Sequence, residues 1–300
     1  MLQGISAVIV VHNQNELLKK CLASIHGWVN EIILIDLAST ENIAATAKKF
    51  GATLIPHAPV AIVEHVRQKS LEYVHHEYVL FLDPDESIPP SLAQILTKAA
   101  HDQSVAYIKM PRQNNVFGKW IEHSLWWPDY QTRFFKHNVI TWPNHLHAQP
   151  TLTGEGVTLS ADPKNAIQHL NYISIDEWTD KNQRYAKADA IERIKAGNNY
   201  SFADAIRLSV GEIIRRFLQA QGYKDGMHGM ILSIFQSYYY FLVYAYYWEA
   251  KKYAQLETPE SIRRFPRDWF THALSETLYW DQAQKPLKTI KEKFVRKLLA

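Results

Sequence analysis

With one cysteine in 300 residues, Cys21, the chain cannot form an intramolecular disulfide, which fits a reducing compartment. Cys21 also falls in the apolar spacing Leu17, Leu18, Cys21, Leu22, Ile25, so it reads as core packing rather than as a nucleophile. A signal-peptide pattern is missing as well. Ile5 to Val11 is apolar but has no basic flank, and it runs into His12-Asn13 instead of a small-residue cleavage site, so it reads as a first strand. No internal repeat and no low-complexity linker is visible. A hydrophobic fraction of 47% with charges of both signs excludes a disordered chain. The basic residues form no nucleic-acid-reading motif, so nucleic acid is not expected as a partner.

What is there divides unevenly. The formal charge of +3 conceals a tail, residues 251–300, with 11 Lys/Arg against 6 Asp/Glu, net +5, and a remainder with 22 against 24, net −2. Over the first hundred residues, strand and helix signals alternate. Ile5 to Val11 is a β-branched run; Asn13 with Glu16 three positions on forms a capping box for a helix reaching about Gly27. Glu31 to Asp36 is a second buried strand, followed by Ser39 and Thr40 as cap candidates and a helix ending near Gly51. Ala52 to Ile55 is a third strand, 63–76 a helix, and Tyr78 to Leu82 a fourth strand that stops at Asp83. Such alternation implies an α/β fold, a mostly parallel sheet with helices on both faces, followed by a helical C-terminal region. Ligands of such sheets bind beyond the carboxyl ends of the strands, where Asp36 and Asp83 stand.

From Tyr107 to Thr158, Pro111, Pro128, Pro143 and Pro150 occur among four tryptophans, which predicts irregular structure and short strands around a binding surface. Helices are expected over 176–196 and 202–218. Met230 to Trp248 contains no charged residue, and its length approaches the ~20 residues of a spanning helix. Six tyrosines, Trp248 and Gln236 make it too polar for that, and favour a helix at a membrane surface over an ordinary buried one. Lys251, Lys252, Lys285, Lys288, Lys291, Lys293, Arg296 and Lys297 would add attraction to anionic lipid, so contact through 230–300 is expected.

The strongest local signal is Val79 to Glu86, an apolar strand that delivers Asp83-Pro84-Asp85-Glu86 into a turn. Hard divalent cations take a few carboxylate oxygens together with substrate phosphates, which this spacing suits; capping of the helix near Pro89-Pro90 is the plainer alternative. The wider set carries a resemblance. Val10-Val11-His12-Asn13, then Ile33 to Asp36 with Ser39-Thr40, then Leu80 to Glu86 stand in the order seen in family 2 glycosyltransferases of the GT-A fold. Pro111-Arg112, Gly118 to Ile121, the segment Trp127 to Lys136, His147 and Gly222 to Gly226 resemble the bacterial branch that builds lipopolysaccharide core and related glycans. The resemblance spans about residues 5–250.

It implies an inverting transfer of a sugar from a nucleoside-diphosphate donor to a hydroxyl of a lipid-linked or lipopolysaccharide-type glycan, with Mg²⁺ or Mn²⁺ as cofactor. Residues 1–105 would form the donor half, 106–172 the acceptor half and 173–300 a membrane-associated region on the cytoplasmic side. Val11, Asn13, Asp36, Arg67 and Asp83 would bind the donor. Asp85 would be the main metal ligand, beside Asp83 and His147, although Ala148 replaces the acid that usually follows this histidine. His145 and His169 are of the kind that usually serve structure or surface. Asp129 would be the catalytic base, or would pair with Arg133 four residues on along a short helix. Arg112, Lys119 and Arg133 are candidates for phosphate or acceptor anions, and Trp120, Trp126 or Trp127 for stacking on a sugar. Leu37, Glu41 and Gln68 depart from the family pattern. A nucleotidyltransferase shares the sheet and the acidic site, but Val11 to Asn15 has no glycine for a triphosphate loop; a non-catalytic glycan-binding module is the remaining alternative.

Overall fold

The computed structural model describes residues 1–60, 64–142 and 150–283. Pro143, His145 and His147, together with the basic residues from Lys285 to Lys297, lie outside the described residues. The strands are β1 (Leu2–Val11), β2 (Glu31–Asp36), β3 (Thr53–Pro56), β4 (His76–Leu82), β5 (Glu86–Ser87) and β6 (Tyr107–Val116). They continue with β7 (Lys119–Trp120), β8 (Asp129–Lys136), β9 (Ile140–Thr141), β10 (Thr151–Leu152), β11 (Gly156–Thr158) and β12 (Ile167–Tyr172). The helices are α1 (Asn15–Ile25), α2 (Ile43–Lys49), α3 (Glu64–Ser70), α4 (Pro90–Asp102), α5 (Ile175–Lys195), α6 (Phe202–Ile213), α7 (Met227–Ala250) and α8 (Pro259–Ala283).

Two compact units emerge: residues 1–115 with 127–171, and residues 116–126 with 172–300. In the first, the sheet runs in the order β3-β2-β1-β4-β8-β6-β12-β5. β1 pairs in parallel with both β2 and β4, and β2 with β3, while β8 is antiparallel to β4 and to β6. The β-branched runs belong in the middle because a parallel sheet covered on both faces has no polar side. Ile5, Ala7, Ile9 and Val11 join α1 and α4 on one face, whereas Val8, Val10, Ile33 and Ile35 join Val66 and Leu71 on the other.

Three local expectations are corrected. Asn13 and Glu16 form no capping box: the residue before α1 is Gln14, without a side-chain cap, and Glu41 Oε2 instead accepts the Asn15 N–H at 2.7 Å. Glu16 pairs with Lys19. The helix expected over 63–76 is shorter, ending at Ser70 and followed by a tight turn to Tyr73, so that β4 begins already at His76. The proline-rich region holds two long paired strands, β6 and β8, and Asp129 and Arg133 lie on a strand, not on a helix. Pro111 is accommodated inside β6 opposite Tyr130.

The second unit is helical. α7 packs along α5 and α6 and buries Tyr239, Val243 and Tyr247 among Ala186, Ala190, Tyr200 and Ala205. The uncharged aromatic stretch therefore spends one face on helix packing, while Ile234, Tyr238 and Trp248 stay exposed. Among the described residues no helix is long and apolar enough to cross a membrane. Within this unit the Asp225 carboxylate accepts the N–H groups of Glu122 and His123, and Lys119 Nζ donates to the Asp225 carbonyl at 2.8 Å. A Cβ on Gly229 would lie 1.8 Å from the Gly222 carbonyl oxygen, so this crossing needs glycine.

Candidate functional site

The loops leaving β1 and β2 are tied to each other at the carboxyl edge of the sheet. Asn13, with φ 58°, places its Oδ1 to accept N–H groups from Thr40 at 2.8 Å and Glu41 at 3.2 Å, and its own N–H donates to Ser39 Oγ at 2.7 Å. Asp36 Oδ1 accepts the Ser39 N–H at 3.0 Å, and His12 Nδ1 lies 2.8 Å from the Leu37 carbonyl. An asparagine tolerates the left-handed backbone here, and its short amide holds two loops instead of capping a helix. Val11 belongs to the core: its side chain is fully buried and its carbonyl accepts the Leu37 N–H.

Beyond β4 the acidic turn meets three arginines from three elements. Arg67 of α3 donates to Asp83 Oδ1 at 2.6 Å; Arg133 of β8 donates to Asp83 Oδ2 and, at 3.0 Å, to Glu86 Oε1. Arg112 of β6 bridges Glu86 Oε1 at 2.9 Å and Asp129 Oδ2 at 2.6 and 2.8 Å. The register that sets Arg112 opposite Asp129 produces the last pair, and period two brings Asp129, Gln131 and Arg133 onto one face of β8. Glu86 is 1% exposed and Arg133 6%. Burial raises the carboxyl pKa of Asp83, but Arg133, Arg67 and Arg112 outweigh it and hold the group well below the usual range. Glu86 is likewise lowered, with Arg133 and Arg112 overcoming burial and the repulsion of Asp83. For Asp129, burial is overcome by Arg112 together with hydrogen bonds from Asn114 and Gln131.

Asp85 has no arginine. Its carbonyl accepts the Leu170 N–H at 2.9 Å, and its Oδ2 stands 3.3 Å from His169 Nε2 on β12. Its Oδ1 is buried without a hydrogen-bond partner. A buried carboxylate oxygen with nothing to compensate it costs on the order of 1–3 kcal/mol or more, which suits a group whose partner is a bound cation. Asp85 Oδ1 with the neighbouring imidazole nitrogen fits Mg²⁺ or Mn²⁺, provided phosphate and water oxygens complete the shell. Asp83 fits less well, because both its oxygens are already held by guanidinium groups. Among the described residues no group of three His, Cys, Asp or Glu side chains is placed to enclose a metal by itself.

Of the residues expected from the sequence, Arg67, Asp83, Asp85, Arg112, Asp129 and Arg133 thus converge in the first unit, while Asn13 and Asp36 mark the adjoining strand ends. Trp127 stands half-buried two residues before the start of β8. Lys119 and Trp126 belong to the second unit, where Trp126 packs against the cluster of Val116, Ile121 and Leu232. Sequence reading underrated Glu86, which is the buried hub of the arginine cluster, and His169; it missed Asn114 and Gln131. Gln131 lay within the segment Trp127 to Lys136, which was the available signal for it. Nothing local marked Asn114.

Residues 6–153 match the family model described as Glycosyl transferase family 2. An uncharacterized glycosyltransferase of Rickettsia conorii is 22% identical over 265 residues, covering 80% of this chain and 88% of that protein. Among solved structures, S. aureus TarS in complex with UDP aligns with a TM-score of 0.44 at 11% identity, over 85% of this chain and 93% of that one. A mannosyltransferase from Pyrobaculum calidifontis in complex with GDP-Man and Mn²⁺ aligns with a TM-score of 0.42 at 12% identity, over 100% of this chain and 84% of that one.

Proposed function

We propose that this chain, whose residues 6–153 belong to glycosyl transferase family 2, moves a sugar from a nucleoside-diphosphate donor to a hydroxyl of a glycan or glycolipid acceptor, inverting the anomeric carbon. The observation that carries this reading is the bare, buried Asp85 Oδ1 beside His169, just beyond the carboxyl end of β4 in the parallel part of the sheet. Residues 1–105 supply the donor half, in which the Asn13 and Asp36 loops receive base and ribose and Arg67 and Asp83 flank the diphosphate. Residues 106–172 supply the acceptor half.

Asp85 and His169 would hold a divalent cation, which when bound neutralises charge on the departing diphosphate. Asp129 takes the proton of the attacking hydroxyl. Arg112 and Asn114 occupy its Oδ2, and Gln131 donates to Oδ1 at 2.7 Å, so the carboxylate is ionised at neutral pH and fixed in orientation. A carboxylate so stabilised is a weak base in the ground state. It acts once the acceptor oxygen has begun to bond to the anomeric carbon and its proton has become acidic. One carbon–oxygen bond forms as the bond to the diphosphate breaks, and no covalent enzyme intermediate is needed.

The acceptor of this reading is lipid-linked or of the lipopolysaccharide type, used at the inner face of the cytoplasmic membrane. Two features support that finer part: residues 251–300 carry net charge +5, and Phe270 and Leu274 of α8 are 64% and 47% exposed on the same stretch of chain. A donor screen tests the whole reading. Purified protein with Mn²⁺ or Mg²⁺ is expected to gain thermal stability with one nucleoside diphosphate and its sugar conjugate, and to hydrolyse the conjugate slowly. If none of them binds, the reading fails. Asp129→Asn is expected to retain donor binding and lose turnover; unchanged transfer would remove Asp129 from the mechanism.

A further inference from the structure

A continuous polar chain joins the two carboxylates given different tasks above. Asp85 Oδ2 lies 3.3 Å from His169 Nε2; His169 Nδ1 lies 2.6 Å from Asn114 Oδ1; Asn114 Nδ2 lies 3.1 Å from Asp129 Oδ2. The linking residues are sequestered, with Asn114 1% and His169 5% exposed. They come from neighbouring strands, β6 and β12, which are adjacent in the sheet order.

Donor and acceptor chemistry fixes the direction of every link. An ionised carboxylate only accepts, so the Asn114 amide must present its NH₂ to Asp129. Its carbonyl oxygen is then turned to His169, which must carry a proton on Nδ1 to meet it. Nε2 is left facing the Asp85 carboxylate, to which it can only donate; with a cation in that proton's place, Nε2 is the atom by which the neutral imidazole, its proton on Nδ1, binds it. Were Asn114 rotated by half a turn, its oxygen would oppose the Asp129 carboxylate and its NH₂ would favour the opposite histidine tautomer. One buried amide thus sets both the tautomer of the histidine of the cation-binding pair and the third hydrogen bond to Asp129 Oδ2.

We propose that Asn114 is a positioning residue that ties the cation-binding pair Asp85–His169 to the proton acceptor Asp129, so that the donor and acceptor halves of the site are aligned by one side chain. The proposal rests on the transferase reading given above. Asn114→Leu keeps the branched shape of the side chain and removes its hydrogen bonds to His169 and Asp129. With the nucleoside diphosphate selected by the donor screen as probe, the variant is expected to need about 10–100-fold more Mn²⁺ for half-maximal thermal stabilisation. It is also expected to lower kcat more than it raises the donor KM.

Double variants separate positioning from general weakening. In a His169→Gln background Asn114→Leu should no longer change the Mn²⁺ requirement, and in an Asp129→Asn background it should cause no further loss of kcat. Additive effects in both backgrounds, or an unchanged Mn²⁺ titration and kcat in a folded single variant, overturn the proposal. Nitrogen-15 histidine spectra of the wild-type protein test it without any need for an Asn114 variant to fold. They should show the His169 proton on Nδ1, with the signal assigned by its loss in His169→Gln, and a bare Nδ1 overturns the proposal. Failure of every nucleoside diphosphate to bind the wild type would instead sink the transferase reading, and the spectra would still decide the tautomer.

Discussion

Replacing Arg133 by methionine tests whether the charged cluster holds the first unit together. Three carboxylates, Asp83, Glu86 and Asp129, face three guanidinium groups, from Arg67, Arg112 and Arg133, and their charges balance. Methionine retains most of the aliphatic volume while removing one positive charge from a side chain that is 7% exposed, against a Glu86 side chain at 0%. Removing one partner of a buried pair costs about 3–5 kcal/mol, because an uncompensated charge remains. At roughly 2–4 °C per kcal/mol for a unit of this size, the melting temperature should fall by roughly 6–20 °C. Differential scanning calorimetry of the purified protein reads the shift directly. Adding Glu86→Gln restores the balance, so the double variant should lie about 1–3 kcal/mol above the sum of the two single effects. A melting temperature within about 1 °C of the wild type for Arg133→Met, or strict additivity in the double variant, would refute the idea that these charges compensate one another.

Three other outcomes can be checked independently. Cys21 is fully buried, and burial pushes its thiol pKa up, aided by the charges of Glu86, Asp85 and Asp83, so the native protein should resist a thiol reagent that labels it at once in denaturant. Ser201 and Asp204 form a capping box at the start of α6, and Ser201→Ala should lower stability by about 1 kcal/mol in a urea titration. Burial raises the carboxyl pKa of Glu31, but the Ser6 hydroxyl and His75 outweigh it and hold it below its ordinary value. Its contribution is therefore present above the unfolded pKa of about 4.3 and lost as pH falls through the lower folded value; Glu31→Gln should be less stable at pH 6 and lose less on acidification to pH 3.

Much of the first unit was legible in the chain because its signals are local. Continuous β-branched runs announce buried parallel strands, and Asp36 and Asp83 mark where two of them end. The candidate site was legible as a set of acids and arginines, but not as a set of pairs. Asp129 with Arg133 looked like a helical neighbour pair, whereas strand register gives Asp129 to Arg112 and sends Arg133 to the acidic turn. Glu86 looked incidental because a charge so near a turn is normally solvated; burial behind the turn makes it the centre of the cluster. Asn13 looked like a helix cap because its spacing to Glu16 is right, but a second loop offered its amide better partners.

What the sequence determined by itself is the alternation of strands and helices, the placing of acids at the carboxyl edge, the lack of a second cysteine for an intramolecular disulfide and the charge asymmetry of the tail. Each depends on residues a few positions apart, where periodicity and turn chemistry act directly. Only the tertiary structure decided which arginine neutralises which acid, that among the described residues Asp85 alone keeps a buried side-chain oxygen without a partner, and that Asn114 and His169 stand between Asp85 and Asp129. Those facts depend on the register of strands many residues apart, and a shift of one residue in that register would turn every such side chain to the opposite face.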